Sequence, residues 1–267
     1  MRGKAPVPVL SAVFLLAAAL AVPGCSGPQD SGPGWTAQPD VTPSPAGPSA
    51  GSGASPAPAT DGASATATAG PSPAATAAAW KTFSDPAKTV SFELPQEWIA
   101  QSVTPDEGTL PGALKIEVKK PDGTFMAALR TGLPPSAADC PESVRKPYTV
   151  ISSLPVDVAA AGGEGTIPPR MVFRVIQGYR FFGSYGITNV VGGAGNQACE
   201  LRNVVRGPAG KGDWSFGDLV SLKAFAPDEK VAPAKAFDTL GQAAEYVEGS
   251  ADFANVQRML MSLEIKN

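Results

Sequence analysis

Histidine is absent from all 267 residues. That absence excludes the Ser-His-Asp and Cys-His arrangements, in which an imidazole carries the proton. It also excludes the mixed Cys/His zinc sites, and three cysteines cannot supply a four-thiolate site. The enzyme classes left open are those that work with carboxylate pairs or a Ser-Lys pair. Charge is scarce as well: 17% of residues are charged and the formal net charge is −3. No run of five or six like charges occurs, so there is no basic footprint for phosphates, and nucleic acid is not an expected partner.

What the chain does have is an apolar run behind two cations. Arg2 and Lys4 precede Val7–Val22, and Ala21-Val22-Pro23-Gly24-Cys25 follows. Residues 1–24 read as a signal peptide: the run is short for a membrane span and no cationic stop follows it. The junction is similar to bacterial lipoprotein leaders, with Gly24 and Val22 at the −1 and −3 positions and Pro23 departing from the usual pattern at −2. The Ala, Gly and Pro usage suggests an actinobacterial type of lipoprotein. The resemblance implies an acylated Cys25, with palmitate-like chains, on the extracytoplasmic face of the cell membrane. Two or more acyl chains give stable anchoring where one does not.

Residues 25–79 form the expected linker, built from Pro, Ala, Gly, Ser and Thr, with three acids, no Lys or Arg, and Trp35 as its one aromatic. Such a composition has too little apolar surface to offset the entropy of ordering it. As a flexible coil it would span about 40 Å, and as extended polyproline II roughly 170 Å.

From Trp80 to Asn267 the remaining 188 residues suffice for one domain. Thr82–Ser84 and Val90–Leu94 read as strands around the Asp85-Pro86 turn, Pro95 and Trp98 as a corner, and Ile99–Val103 as a short strand. Leu114, Ile116 and Val118 alternate with charged residues, Pro121-Asp122-Gly123 is a turn, and Phe125, Ala127 and Leu129 return. A Pro-rich loop spans 133–147, an edge strand broken by Pro155 spans 150–158, and a small-residue loop spans 159–165. Strands at 171–176 and 179–182 make a second hairpin, continued by 187–191 beyond a Gly kink, then strands at 200–205 and 219–225. The period then changes: Phe237, Leu240, Ala244 and Val247, and later Phe253, Val256, Leu260 and Leu263, recur at helical spacing. Ser250 or Asp252 can cap the second helix. The expected class is α+β, an antiparallel β-sheet packed by helices, two of them C-terminal.

Cys140 and Cys199 remain once Cys25 is set aside. An even pair outside the reducing cytoplasm reads as a disulfide, and a redox-active pair is the alternative. Gly193-Ala194-Gly195-Asn196-Gln197-Ala198 matches a dinucleotide fingerprint but needs a helix after it, so it reads as a glycine-rich loop. Ser143-Val144-Arg145-Lys146 matches Ser-x-x-Lys, with Pro147 set against the helix that motif requires. Asp213 and Asp218 flank Trp214 and Phe216 and read as a solvated turn beside core aromatics, with a groove as the alternative. Tyr179, Phe181, Tyr185 and Trp214 are the candidate binding face; core packing with cross-strand pairs is the competing reading. No cofactor and no metal ligand set is expected.

Phe83-Ser84-Asp85, Val90–Pro95 with Trp98, and the closing helix ending in Ser262-Leu263 resemble PsbP-like domains. The resemblance covers about 35 residues. It implies an α-β-α sandwich used as an adaptor or binding module without catalytic residues. The expectation is thus a membrane-anchored binding module for an envelope protein or ligand. A cell-envelope hydrolase or transferase is the alternative, and a solute-binding receptor the third.

Overall fold

Ile116 and Val118 are buried, while Lys115, Glu117 and Lys119 between them face outward. This period-two pattern, repeated along the chain, builds antiparallel sheets. The computed structural model describes residues 74–135, 140–229 and 235–266. The expected signal peptide 1–24, the acylation at Cys25 and the linker through residue 73 lie outside the described residues.

In chain order the first strands are β1 (Trp80–Ser84), β2 (Val90–Pro95), β3 (Ile99–Val103), β4 (Lys115–Lys119) and β5 (Phe125–Leu133). Then come β6 (Lys146–Pro155), β7 (Thr166–Gln177), β8 (Phe181–Val190), β9 (Gln197–Ala198) and β10 (Glu200–Arg202). The chain continues with β11 (Asp213–Gly217), β12 (Ser221–Lys223), β13 (Ala236–Phe237), α1 (Leu240–Gly249), α2 (Ala251–Met261) and β14 (Glu264–Ile265). The main sheet has nine strands in the order β3-β4-β5-β11-β8-β7-β6-β9, with β13 beside β8. Two smaller sheets, β1-β2-β14 and β10-β12, complete the set.

Turns sit where the backbone chemistry places them. Gly123 takes φ 85° between β4 and β5, and the Thr124 amide donates to Asp122 Oδ1 at 2.8 Å. Other stretches depart from expectation. β7 begins at Thr166, five residues before the expected start, and runs through Pro168-Pro169. A register shift against β8 between Thr166 and Arg170 accommodates the two missing N–H donors. β6 likewise starts at Lys146 inside the expected loop, pairing Lys146 with Ala198 and Pro147 with Gln197.

The main sheet has two differently built faces. On one, Phe173, Tyr185, Ile187, Trp214 and Phe216 meet Phe92 and Leu94 of β2 and Phe253, Val256 and Leu260 of α2 in one core. The Phe253 ring stands edge-on to Phe173 at 5.5 Å between centroids. Truncating such a fully buried ring to Ala costs about 3–5 kcal/mol. On the other face, Ile176 and Phe182 pack with Leu201 and Leu222 of the β10-β12 ribbon. Both α-helices contribute to the first core, and the described residues place none on the second face. Only the α+β class with its two C-terminal helices is therefore seen.

The second helix matches its pattern: Phe253, Val256, Leu260 and Leu263 are buried, and the Ser250 hydroxyl accepts the Phe253 amide as N-cap. The first does not. Phe237 belongs to β13, Leu240 is exposed, and the inward positions are Ala243, Tyr246 and Val247, with Thr239 as N-cap.

Candidate functional site

Small residues that look like the end of a linker lie against the helix pair. The Ala74 amide donates to Glu248 O at 3.1 Å, and the Ala77 amide donates to Asn255 Oδ1 at 2.7 Å. Those two donors lie three residues apart in a segment without regular secondary structure. The indole N–H of Trp80 donates to Ala77 O at 2.8 Å, and the Arg258 guanidinium lies 4.0 Å from the Trp80 ring centroid. Glu93 Oε2 holds Arg258 from the other side at 2.9 Å. Among the described residues, packing against the helices therefore includes residues 74–79 ahead of Trp80.

Between this segment and the helices runs a groove of about 630 Å³. Ala74 and Thr76 form one wall; Val247, Phe253, Ala254 and Met261 supply apolar surface, and Gln257 and Arg258 supply donors. α1 and α2 share a single residue at their junction, Ser250, which is C-cap to one helix and N-cap to the next. That tight corner sets both helix faces beside the segment. Met261 is 43% exposed at the groove.

The second face holds a buried polar chain. Asp218 Oδ1 accepts from the Ser184 hydroxyl at 2.5 Å and the Tyr185 amide at 3.1 Å, and Lys235 Nζ lies 2.9 Å from Oδ2. Asn203 Nδ2 donates to Ser184 Oγ at 2.7 Å and to Leu219 O at 2.9 Å, while Arg174 reaches Asn203 Oδ1 at 3.0 Å. Burial raises the Asp218 carboxyl above its ordinary value, and Lys235, Ser184 and the Tyr185 amide offset that only in part. Burial lowers Arg174 to about 10, so it stays charged at neutral pH. This chain ties β7, β8 and the β10-β12 ribbon together.

The expected site residues are scattered by the fold. Tyr185 is 1% exposed with its hydroxyl donating to Met126 O, and Trp214 is 5% exposed. Tyr179 is 50% exposed in the β7–β8 turn, stacked edge-on against Phe182, and Phe181 packs against the main core. The four do not form one exposed face: Phe181, Tyr185 and Trp214 point into the same main core, and Tyr179 alone stands outside it, in the turn ahead of β8. Asp213 and Asp218 are buried rather than solvated, because residues 213–217 form a central strand between β5 and β8. Ser143 lies in a 3-10 turn over Glu142–Val144 and Lys146 opens β6, so they do not share a helix. The glycine run 193–198 is a loop with a 3-10 turn at Ala194–Asn196.

Cys140 and Cys199 are bonded, with Sγ atoms 2.08 Å apart. They border a second cavity of about 210 Å³ with Arg202, Arg206 and Glu164. A third cavity, about 350 Å³, lies among Leu110, Lys211, Trp214 and Lys266. Among the described residues no three Cys, Asp or Glu side chains are grouped to hold a metal, and no helix is long and apolar enough to cross a membrane. No family model, no curated protein and no solved structure matches this chain.

Proposed function

We propose that this chain is an extracytoplasmic lipoprotein, acylated at Cys25, whose folded domain acts as a binding module for a segment of an envelope protein. The observation that carries the binding reading is the groove shared by residues 74–77 and the α1–α2 pair. There the helices already accept two backbone amides of one segment, Ala74 N–H at Glu248 O and Ala77 N–H at Asn255 Oδ1. The lipobox-like junction before Cys25, the low-complexity linker and the Cys140–Cys199 bond support an exported location. The resemblance to PsbP-like domains supports an adaptor role: Trp98 is buried at the corner after Pro95, and α2 closes into Ser262-Leu263.

The groove reading is tested by placing a photo-cross-linking residue at Met261 in intact cells, with Lys211 as a control outside the groove. A discrete adduct from Met261 that Lys211 does not give supports it. Identical adduct patterns from the two positions contradict it.

A further inference from the structure

Natural sheets protect their edge strands with Pro, inward or flanking charge, bulges or extreme shortness, because an open edge templates pairing with another chain. One end of the main sheet is protected in this way: β9 is two residues long and β6 carries Pro147 and Pro155. The other end is not. β3, Ile99-Ala100-Gln101-Ser102-Val103, has no charge and no proline, and all five residues pair with β4 without a bulge. Among the described residues its outer edge has no strand beside it. Ile99 is 50% exposed there, and Phe125, which pairs with the same Lys119 from the other side, is 40% exposed.

We propose that β3 is the joint of a homodimer, two copies pairing antiparallel about a two-fold axis through Gln101. The strand is complementary to itself in this register. Ile99 meets Val103 of the second copy, Ala100 meets Ser102, and the two Gln101 amides face each other, each able to donate and accept. No charge enters the joint. The nearest outward cations, Lys119 and the second copy's Lys115, stand three strands apart, about 14 Å, beyond the Debye length at physiological salt. On the outward side Ile99 continues into Val103 of the second copy, while Lys119 stands between Ile99 and Phe125. A five-residue joint is small for a stable dimer in dilute solution. Confinement to a membrane through Cys25, which rests on the function proposed above, raises the effective concentration enough to populate it.

Cysteine cross-linking of the full chain tests the joint. Gln101→Cys places the two sulfurs across the axis, at the roughly 4.5–5.5 Å Cα spacing of directly opposed strand residues, within disulfide reach. Glu117→Cys, one strand inward on the same row, is out of reach. The expected result is a homodimeric disulfide forming at least tenfold faster from Gln101→Cys than from Glu117→Cys, reduced severalfold when Ile99→Lys is added. Equal rates for the two cysteines, or no effect of Ile99→Lys, overturn the proposal. Running both variants in vesicles and in concentrated detergent solution with Cys25→Ser separates the joint from the anchor, since the second sample pairs without any lipid on the chain.

Discussion

The backbone amide of Ala77 donates to Asn255 Oδ1 at 2.7 Å, across 178 positions of sequence. Asn255 is 7% exposed on α2, a helix position where a polar side chain needs a partner. The bond fastens residues 74–77 to the helix pair, where Ala74 and Thr76 form a wall of the groove. Asn255→Leu leaves the Ala77 N–H unpaired at a cost of about 1–3 kcal/mol. Hydrogen exchange at residues 74–79 should then be at least tenfold faster, with β7 and β8 unchanged. Unaltered exchange there would contradict the docking.

Asp218 gives the fold a pH signature. Burial holds its folded pKa above the ordinary 3.8, so the folded state binds the proton more readily than the unfolded chain. Its contribution to stability is therefore largest at low pH and is lost as pH rises from 3.8 through the raised value. An amide in place of this carboxyl would keep an acceptor for Ser184 and the Tyr185 N–H and would not titrate. The expected outcome for Asp218→Asn is a stability that improves relative to the unaltered chain as pH rises through that window, read from melting curves across pH. A constant difference would contradict the account.

The strands and the last helix were legible because their side chains sort by period. Ile116 and Val118, or Phe253, Val256 and Leu260, announce a buried face whatever packs on it. The disulfide followed from parity once Cys25 was set aside. β11 escaped because Asp213, Ser215 and Gly217, between glycines, resemble a turn. Asp213 and Ser215 alternate with Trp214 and Phe216, which enter the main core, and the residues that bury them come from elsewhere in the chain. The groove escaped for a similar reason: Ala74–Ala79 has linker composition, and its ordering depends on acceptors supplied by Glu248 and Asn255 far downstream. The aromatic face failed because the side of β8 that carries Phe181 and Tyr185 is covered by the core, which leaves Tyr179 exposed by itself in the turn.

The Cys140–Cys199 bond closes a separation of 59 residues. Chain-entropy reasoning puts its contribution at about 4 kcal/mol. Cys140→Ser with Cys199→Ser should lower the stability from denaturant unfolding by that order. A loss below about 1 kcal/mol would contradict a stabilising role.

Gly186 is required by a close approach rather than by its backbone angle. A Cβ there would stand 2.6 Å from Asn203 Cβ, where Asn203 bonds Ser184 and the Tyr185 carbonyl. Gly186→Ala should cost about 2–3 kcal/mol through overpacking of that network. Gly162→Ala, with open space around it, should stay within about 0.5 kcal/mol. Equal melting temperatures for the two variants would refute the network's role.

Attachment of this chain to a membrane at Cys25 is tested most directly by intact-mass analysis of the protein extracted from the membrane fraction of its native host. The expected species begins at Cys25 and carries a diacylglyceryl mass, and Cys25→Ala releases the chain to the soluble fraction or leaves it unprocessed. A chain with an unmodified Cys25, whether soluble or still beginning at Met1, would contradict the attachment.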